Sequence, residues 1–546
     1  MFDNLVEQDT ATVREDLRLV TAVTLKQWLH DGGEIALLDV REEGEFGEGH
    51  LFYGVPLPFS RLESGLERLV PRSSCRIVMY DDGASGVAAK AQALARRYGY
   101  GDVHVLDGGT RAWKEAGFSL FAGVNVPSKT FGELVEHAEA VPLITAGELH
   151  EKLAAKEDVV VIDGRPIDEY RKMNIPGSLC CPNGELVYRI SEIIRSPETT
   201  VVINCAGRTR SIMGAATLRR FGCANRVVAL ENGTMGWRLA GFELEHGSDR
   251  LYPSPPHGAR LEEIRREAAG LAESFHVSRA EAETVARWLG EENRTTYLLD
   301  IRTPEEFGEG SAPGAVSAPG GQLLQATDQW LGVRNARVVL LDDDEVRAPV
   351  IASWLSQLGW ETYVLEGGLA AAASLSSDPG LNSIAAMLAG QPPIGPQDLV
   401  ALGDDIVLVD ARHSSEYRRC HLQGAVWATR ARLEKVLGRI GNRPALVIAD
   451  NETVGQAFAA DIAEAGGKVV GLHVGNPDLW RRFGLPLAST PDMPSDAECI
   501  DYLFFVHDRH AGNLDAARQY IAWEKGLVDK LDKQELAGYR MKLPRA

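Results

Sequence analysis

Short apolar runs alternate along this chain with longer segments in which apolar residues recur at helical spacing. Four of these runs lead directly into one polar pattern, Asp-x-Arg-x-x-x-Glu-aromatic. Short continuous apolar runs bounded by turn residues indicate buried strands. A pattern that recurs along a chain predicts tandem repeats. Here the pattern begins at Asp39, Asp163, Asp300 and Asp410.

Each repeat continues in the same way after its first predicted strand. The first strands are 35–38, 159–162, 297–299 and 406–409; second strands follow at 77–80, 201–204, 338–341 and 446–449. A helical pattern then leads to third strands at 103–106, 227–230, 363–365 and 469–474. Strands that alternate with helices predict an α/β fold in which each mostly parallel sheet is flanked by helices.

Pro- and Gly-rich segments such as 252–256 and 390–393 divide the repeats. We place repeat 1 at residues 1–128, repeat 2 at 129–258, repeat 3 at 259–385 and repeat 4 at 386–490. A helix over 261–274 leads into repeat 3. Residues 491–546 form a C-terminal helical extension with helices near 497–509 and 514–531, packed on the repeats; a homodimer contact is the alternative role for it.

Composition narrows the classes of function. The chain has 546 residues and a formal net charge of −20, which argues against nucleic acid or an anionic membrane surface as partner. Seven cysteines without a C-x-x-C pair do not make a disulfide framework or a zinc site. Residues 1–16 lack a signal-peptide pattern and no apolar run is long enough to span a membrane, so we expect a cytoplasmic protein.

The segment with the most distinctive chemistry is the loop 205–210, Cys-Ala-Gly-Arg-Thr-Arg, between a predicted strand and a predicted helix. Backbone N–H groups of such a loop converge on an anion, and the helix dipole adds positive potential. Neighbouring arginines and a helix start lower a thiol pKa and favour a nucleophilic thiolate. The other repeats have Asp81, Asp342 and Asp450 at the position of Cys205, so only repeat 2 has the nucleophile.

This loop, with four residues between Cys205 and Arg210, resembles the active-site loop of rhodanese-type sulfurtransferases, and the four repeats resemble tandem rhodanese domains. The resemblance implies that Cys205 carries a persulfide without any metal or cofactor. It also implies three groups of site residues. The nucleophile is Cys205. The residues that bind the substrate are Ala206, Gly207, Arg208, Thr209 and Arg210, and among them Arg208 faces the substrate's negative charge. The residues that support the loop are Asp163, Arg165 and Arg171, of which Arg171 lies at the entrance to the site.

The expected reaction moves a sulfane sulfur from an anionic donor, thiosulfate or a low-molecular-weight persulfide, to a thiol or cyanide acceptor. Mercaptopyruvate enzymes of the family usually carry Cys-Gly-x-Gly, from which this loop departs. A non-catalytic scaffold or sulfur sensor is an alternative, as is a phosphatase or arsenate reductase, although their loop is one residue longer. Cys180 and Cys181, which follow Ile-Pro-Gly, are candidates for a second thiol. The acidic run 342–345 is a solvated loop or, alternatively, a cation site.

Overall fold

The computed structural model describes residues 17–373, 375, 384–388, 390–399, 402, 405–504 and 513–541. The prediction for residues 1–16, and parts of those for the boundary between repeats 3 and 4 and for the helix near 497–509, lie outside the described residues. No helix in these ranges is long and apolar enough to cross a membrane.

Repeats 1 and 2 have the same succession of strands and helices, except that repeat 2 begins with an additional helix and lacks the 3-10 turn of repeat 1. Repeat 1 consists of β1 (Leu19–Val20), α1 (Ala22–Trp28), β2 (Ile35–Asp39), α2 (Glu43–Glu48), β3 (Val55–Pro56), a 3-10 turn (Phe59–Arg61), α3 (Leu62–Leu69), β4 (Ile77–Tyr80), α4 (Val87–Arg97), β5 (Val103–Leu106) and α5 (Gly109–Glu115). Repeat 2 consists of α6 (Val126–Glu139), β6 (Leu143–Ile144), α7 (Ala146–Ala154), β7 (Val159–Asp163), α8 (Ile167–Lys172), β8 (Leu179–Cys180), α9 (Leu186–Ile193), β9 (Thr200–Asn204), α10 (Thr209–Arg220), β10 (Val227–Leu230) and α11 (Gly233–Leu239).

Repeats 3 and 4 have a similar succession of strands and helices, with differences in their short elements. Repeat 3 consists of α12 (Ala259–Ser274), β11 (Ser278–Ala280), α13 (Ala282–Leu289), β12 (Thr296–Asp300), α14 (Pro304–Glu309), β13 (Val316–Ser317), α15 (Gly320–Gln325), a 3-10 turn (Thr327–Gln329), β14 (Val333–Arg334), β15 (Arg337–Leu341), α16 (Arg347–Gln357), β16 (Glu361–Leu365) and α17 (Gly368–Ala372). Repeat 4 follows with α18 (Ile384–Met387), α19 (Pro396–Leu399), β17 (Val407–Asp410), α20 (Ser414–Arg419), β18 (His421–Leu422), β19 (Val426–Trp427), a 3-10 turn (Arg430–Arg432), α21 (Leu433–Ile440), β20 (Ala445–Ala449), α22 (Glu452–Glu464), β21 (Val469–Val474), α23 (Pro477–Arg482) and β22 (Leu487–Ala488).

The sheets share one parallel strand order, which confirms the predicted fold class. The order is β1-β5-β4-β2-β3 in repeat 1, β6-β10-β9-β7-β8 in repeat 2 and β11-β16-β15-β12-β13 in repeat 3. Repeat 4 has β21-β20-β17-β19, which is the same order without its first edge strand. The central strands β2, β12 and β15 are buried throughout, as expected for apolar strands covered by helices on both faces.

The described residues fall into two compact units, one with repeats 1 and 4 and the other with repeats 2 and 3. The C-terminal residues divide between them, since 491–504 belong with repeats 1 and 4 whereas 513–541 belong with repeats 2 and 3. The domain boundaries given above stay a prediction.

The helix predicted over 261–274 is confirmed by α12, whereas the two predicted C-terminal helices had different outcomes. Leu514–Lys525 forms α24, followed by a 3-10 turn at Val528–Lys530 and by α25 at Lys533–Ala537. The other helix is wrong for residues 497–503, which form turns. Their polar groups serve other elements, because the carbonyl of Ile500 accepts from the Gly44 amide at 2.8 Å and the Asp501 carboxylate accepts from the Ser414 amide at 2.7 Å.

Candidate active site

Cys205 lies directly after β9, in the short loop that leads into α10, and is 2% exposed. The loop is attached to the start of α11 by two backbone hydrogen bonds. The amide of Thr234 donates to the carbonyl of Cys205 at 2.8 Å, and the amide of Met235 donates to that of Ala206 at 3.2 Å. Gly233 allows this close approach, since a Cβ there would lie 2.3 Å from the Cys205 carbonyl oxygen. The turn between β10 and α11 therefore holds the cysteine loop in place.

The loop ends at the first turn of α10, whose N–H groups have no acceptors within the helix. In the described part of the chain, the amides of Thr209, Arg210 and Ser211 also find no acceptor outside it. These N–H groups and the helix dipole form an environment that favours an anion. Cys205 thus lies beside a set of amides able to stabilise negative charge.

Arg210 is 8% exposed and binds Glu169 of α8 through both terminal nitrogens, at 2.7 and 2.9 Å. Its Nη1 also lies 3.4 Å from Oε1 of Gln322, on α15 of repeat 3. Burial lowers the pKa of Arg210, but Glu169 more than offsets this, and Cys205 contributes in the same direction, so the pKa is raised. The guanidinium is a permanent positive charge within electrostatic reach of the thiol.

Arg208 has a different environment, because its guanidinium is buried against α6. Its Nε and Nη2 donate to Glu133 at 2.7 and 2.8 Å, and Nη2 also pairs with Glu136. Two carboxylates thus compensate one arginine. The prediction placed Arg208 against the substrate's charge, whereas its described partners are Glu133, Glu136 and Asn232 of the chain itself.

Asp163 and Arg165 form a buried bidentate pair, with Nε–Oδ1 and Nη2–Oδ2 distances of 2.8 and 2.7 Å. Asp163 lies beside Asn204 in the parallel register and accepts from its Nδ2 at 2.7 Å. Arg165 also donates to the Met173 carbonyl at 2.6 Å. The pair therefore joins the ends of β7 and β9 immediately before the cysteine. The same Asp–Arg pair recurs at the equivalent position of the other repeats, 39 with 41, 300 with 302 and 410 with 412.

The remaining predicted site residues are not brought to the loop by their described contacts. Arg171 is half-exposed, and its side chain pairs with Asp249 at 2.6 Å and Asp168 at 3.6 Å. Cys180 and Cys181 are fully buried. Burial raises the pKa of Cys180 to about 12 and that of Cys181 well above its usual value, so both favour the neutral thiol. These pKa values argue against a second nucleophile.

In the corresponding loop of repeat 3, the backbone amides donate hydrogen bonds to the side chain of an aspartate in the same loop. The carboxylate of Asp342, at the position of Cys205, accepts the amides of Glu345, Val346, Arg347 and Ala348 at 2.7, 3.0, 2.6 and 3.1 Å. In the described residues, no cluster of three His, Cys, Asp or Glu side chains is arranged to hold a metal ion. The acidic run 342–345 therefore has a clear internal role, in which its first carboxylate caps the loop amides.

Repeat 1 has a similar arrangement, in which Asp81 accepts from the amides of Gly83 and Ala88 at 2.8 and 3.1 Å. In repeat 4, Asp450 instead pairs with Arg61 at 2.9 Å. Loops with aspartate thus have a carboxylate that is already engaged.

Several contributors to the site were missed by sequence reasoning. Glu169 belongs to the repeated Asp-x-Arg-x-x-x-Glu pattern, and its recurrence was a signal that could have identified it. Glu133 and Gln322, by contrast, belong to no motif and reach the loop from α6 and α15.

Comparisons with known proteins agree with this geometry. The model of the rhodanese-like domain matches residues 21–116, 145–240 and 281–374. A crystal structure of a thiosulfate sulfurtransferase from Pseudomonas aeruginosa has a TM-score of 0.89 and 37% identity, covering 97% of this chain and 100% of that chain. A putative sulfur carrier protein of Bacillus subtilis is 26% identical over 148 residues, covering 25% of this chain and 78% of that protein. A putative thiosulfate sulfurtransferase of Mycobacterium tuberculosis is 26% identical over 208 residues, covering 31% of this chain and 72% of that protein.

The fold and the site define a tandem-repeat α/β enzyme of the sulfurtransferase class. The chain belongs to the rhodanese family. The family model matches repeats 1 to 3, and repeat 4 has the same strand order without being matched.

Proposed function

We propose that the protein transfers a sulfane sulfur from an anionic donor to a thiol or cyanide through a persulfide on Cys205. The observation that carries the proposal is the contrast between repeats 2 and 3. In repeat 3 the loop amides bind the Asp342 carboxylate, whereas in repeat 2 a thiol occupies that position and the amides of Thr209, Arg210 and Ser211 stay available. The internal carboxylate supports the view that this loop holds negative charge.

The first half-reaction forms the persulfide. The Cys205 thiolate attacks the outer sulfur of thiosulfate, a new S–S bond forms, and the donor S–S bond breaks so that sulfite leaves with its electron pair. The terminal persulfide sulfur then carries the negative charge. We assign its stabilisation to the amides of Thr209, Arg210 and Ser211 and to the charge of Arg210. A low-molecular-weight persulfide reacts in the same way, with a thiolate as leaving group.

The second half-reaction returns the enzyme to its starting state. A thiolate or cyanide attacks the outer sulfur, the bond between it and Sγ of Cys205 breaks, and the Cys205 thiolate is released. The product is a persulfide or thiocyanate. The substituted-enzyme intermediate predicts ping-pong kinetics.

Both arginines of the loop are already paired, so the backbone is central to recognition of the anion. Arg208 is compensated by Glu133 and Glu136, and Arg210 by Glu169. We assign Arg208, which has two buried or nearly buried carboxylate partners, to fixing the loop, and Arg210, whose one carboxylate partner is partly exposed, to contacting the substrate. Asp163 and Arg165 are proposed to hold the strand ends from which the loop starts.

Intact-mass measurement after incubation with thiosulfate or an alkyl persulfide tests the proposal. The wild type should gain the mass of one sulfur atom and lose it on addition of cyanide, whereas Cys205→Ser should gain nothing. Peptide mapping should place the sulfur on Cys205. Absence of the adduct on the wild type, or its persistence in Cys205→Ser, would contradict the proposal. Turnover of an aryl phosphate instead would favour the oxyanion-enzyme alternative.

A further inference from the structure

The C-terminal helix α24 covers the middle of the cysteine loop. Met235, at the start of α11, forms an apolar cluster with Ala517 and Tyr520 of α24. Gly207 lies beneath this cluster. A Cβ on Gly207 would lie 2.8 Å from Cε of Met235 and 3.4 Å from Oε2 of Glu524. The loop therefore has a glycine at the point where the extension approaches it.

Glu524 makes a direct polar contact between this helix and the loop. Its side chain is 2% exposed, and Oε1 accepts from the hydroxyl of Thr209, the first residue of α10, at 2.6 Å. On its other side, the methyl of Thr209 faces Gly132 of α6, where a Cβ would lie 2.8 Å away. Thr209 is thus held between α6 and α24.

The second carboxylate oxygen of Glu524 is buried and has no hydrogen-bond partner among the described residues. Burying a carboxylate is costly unless charges or hydrogen bonds compensate it. The nearby Arg208 supplies part of that compensation, since Glu524 is among the groups that raise the pKa of Arg208 after Glu133 and Glu136, against the lowering effect of burial. An apolar side chain would cover Met235 and Tyr520 without this cost, so the carboxylate points to a role at the loop.

We propose that Glu524 is a positioning residue for sulfur transfer at Cys205. Through Thr209 it fixes the first turn of α10, whose amides face the transferred sulfur. This inference rests on the proposed function. Repeat 3 lacks the matching groups, because Asp344 stands at the position of Gly207 and Val346 at that of Thr209. The C-terminal helix thus complements the one loop that has a thiol.

The experiment compares Glu524→Ala, Glu524→Gln and Thr209→Val in the full chain. Asp515→Asn, on the exposed side of the same helix, is the control. Steady-state transfer from thiosulfate to cyanide gives kcat and KM, and intact mass gives the rate of persulfide formation. We expect Glu524→Ala and Thr209→Val to lower kcat about tenfold with KM unchanged, since each removes one charge-assisted hydrogen bond. Glu524→Gln keeps an acceptor for Thr209 and should recover most of the activity.

The double variant Glu524→Ala/Thr209→Val should be no slower than either single variant, because both remove the same bond. Wild-type kcat in both single variants would overturn the proposal, as would a rise in KM alone or a Glu524→Gln enzyme as slow as Glu524→Ala. If Glu524→Ala does not fold, as judged by thermal unfolding, the kcat of the isosteric Thr209→Val variant tests the proposal in its place. Absence of persulfide on the wild type would instead refute the proposed function itself, whereas wild-type rates in the variants refute only the role of Glu524.

Discussion

Replacing Arg210 tests its proposed role in substrate binding separately from its role in folding. Its guanidinium makes two hydrogen bonds to Glu169, whose side chain is 36% exposed. Because Arg210 itself is buried whereas its partner is partly solvated, we expect Arg210→Ala to cost about 1–3 kcal/mol of unfolding free energy. A charge-assisted contact to a donor is worth about 1.5–3 kcal/mol, so kcat/KM for thiosulfate should fall by about 10- to 150-fold.

Arg210→Lys sharpens the test, because it keeps the charge and loses the planar fork that engages two oxygens at once. Its kcat/KM should lie between those of the wild type and Arg210→Ala. The assay is thiosulfate-to-cyanide transfer, with thermal unfolding measured on the same samples. Arg518→Ala, which removes a surface arginine paired with Asp515, controls for the loss of one positive charge. Wild-type kcat/KM in Arg210→Ala, or an equal loss in Arg518→Ala, would show that Arg210 does not contact the donor.

Three further predictions test other parts of the reasoning. Cys205→Ser should abolish sulfur transfer while its thermal unfolding stays close to that of the wild type; residual turnover would implicate another thiol. Asp81→Cys in the Cys205→Ser background should not restore transfer, because repeat 1 has Ala84 and Gly86 where Arg208 and Arg210 stand; measurable turnover would show that loop charge is unimportant. Burial raises the pKa of Asp328, in the 3-10 turn of repeat 3, to about 7, whereas the value in an unfolded chain is about 3.9. The folded state therefore holds this proton more tightly than the unfolded state, and the resulting contribution to stability is lost as the pH rises from about 4 through 7. Asp328→Asn should therefore raise the unfolding free energy by roughly 2–4 kcal/mol at pH 8 and by little at pH 4; an equal effect at both pH values would contradict the assignment.

The parts of the molecule that follow from local pattern could be predicted from the sequence. The central strands, their parallel arrangement and the position of Cys205 at a strand end all depend on apolar runs and turn residues that lie close together in the chain. The short edge strands such as β6 and β8 have only two residues each and gave no periodic signal. Cytoplasmic location and a homodimer stay predictions, because a single chain does not test them.

Tertiary partners explain most of what the sequence did not predict. Glu133, Gln322 and Glu524 reach the loop from three different elements, and nothing near them in the chain marks them as part of a site. The turns at 497–503 have the same origin, because the hydrogen bonds of Ile500 and Asp501 to other elements compete with helix formation. Chain order also does not indicate that repeat 1 forms a compact unit with repeat 4.

The aspartate loops give a physical reason why one repeat differs from the others. In repeat 3 the Asp342 carboxylate accepts four amides of its own loop, so a substrate anion would have to displace a group that is covalently attached and already desolvated. Burial raises the pKa of Asp342 to about 6, and the Arg347 charge and the loop amides lower it only in part, so the carboxylate is still mainly ionised at neutral pH. The loop of repeat 3 therefore contains its own carboxylate, whereas repeat 2 has a thiol at the same position, on which the proposed mechanism places the transferred sulfur. If the proposed function is correct, the residue at the end of the second strand decides whether the loop amides bind a carboxylate of the chain itself, as in repeat 3, or a substrate anion, as proposed for repeat 2.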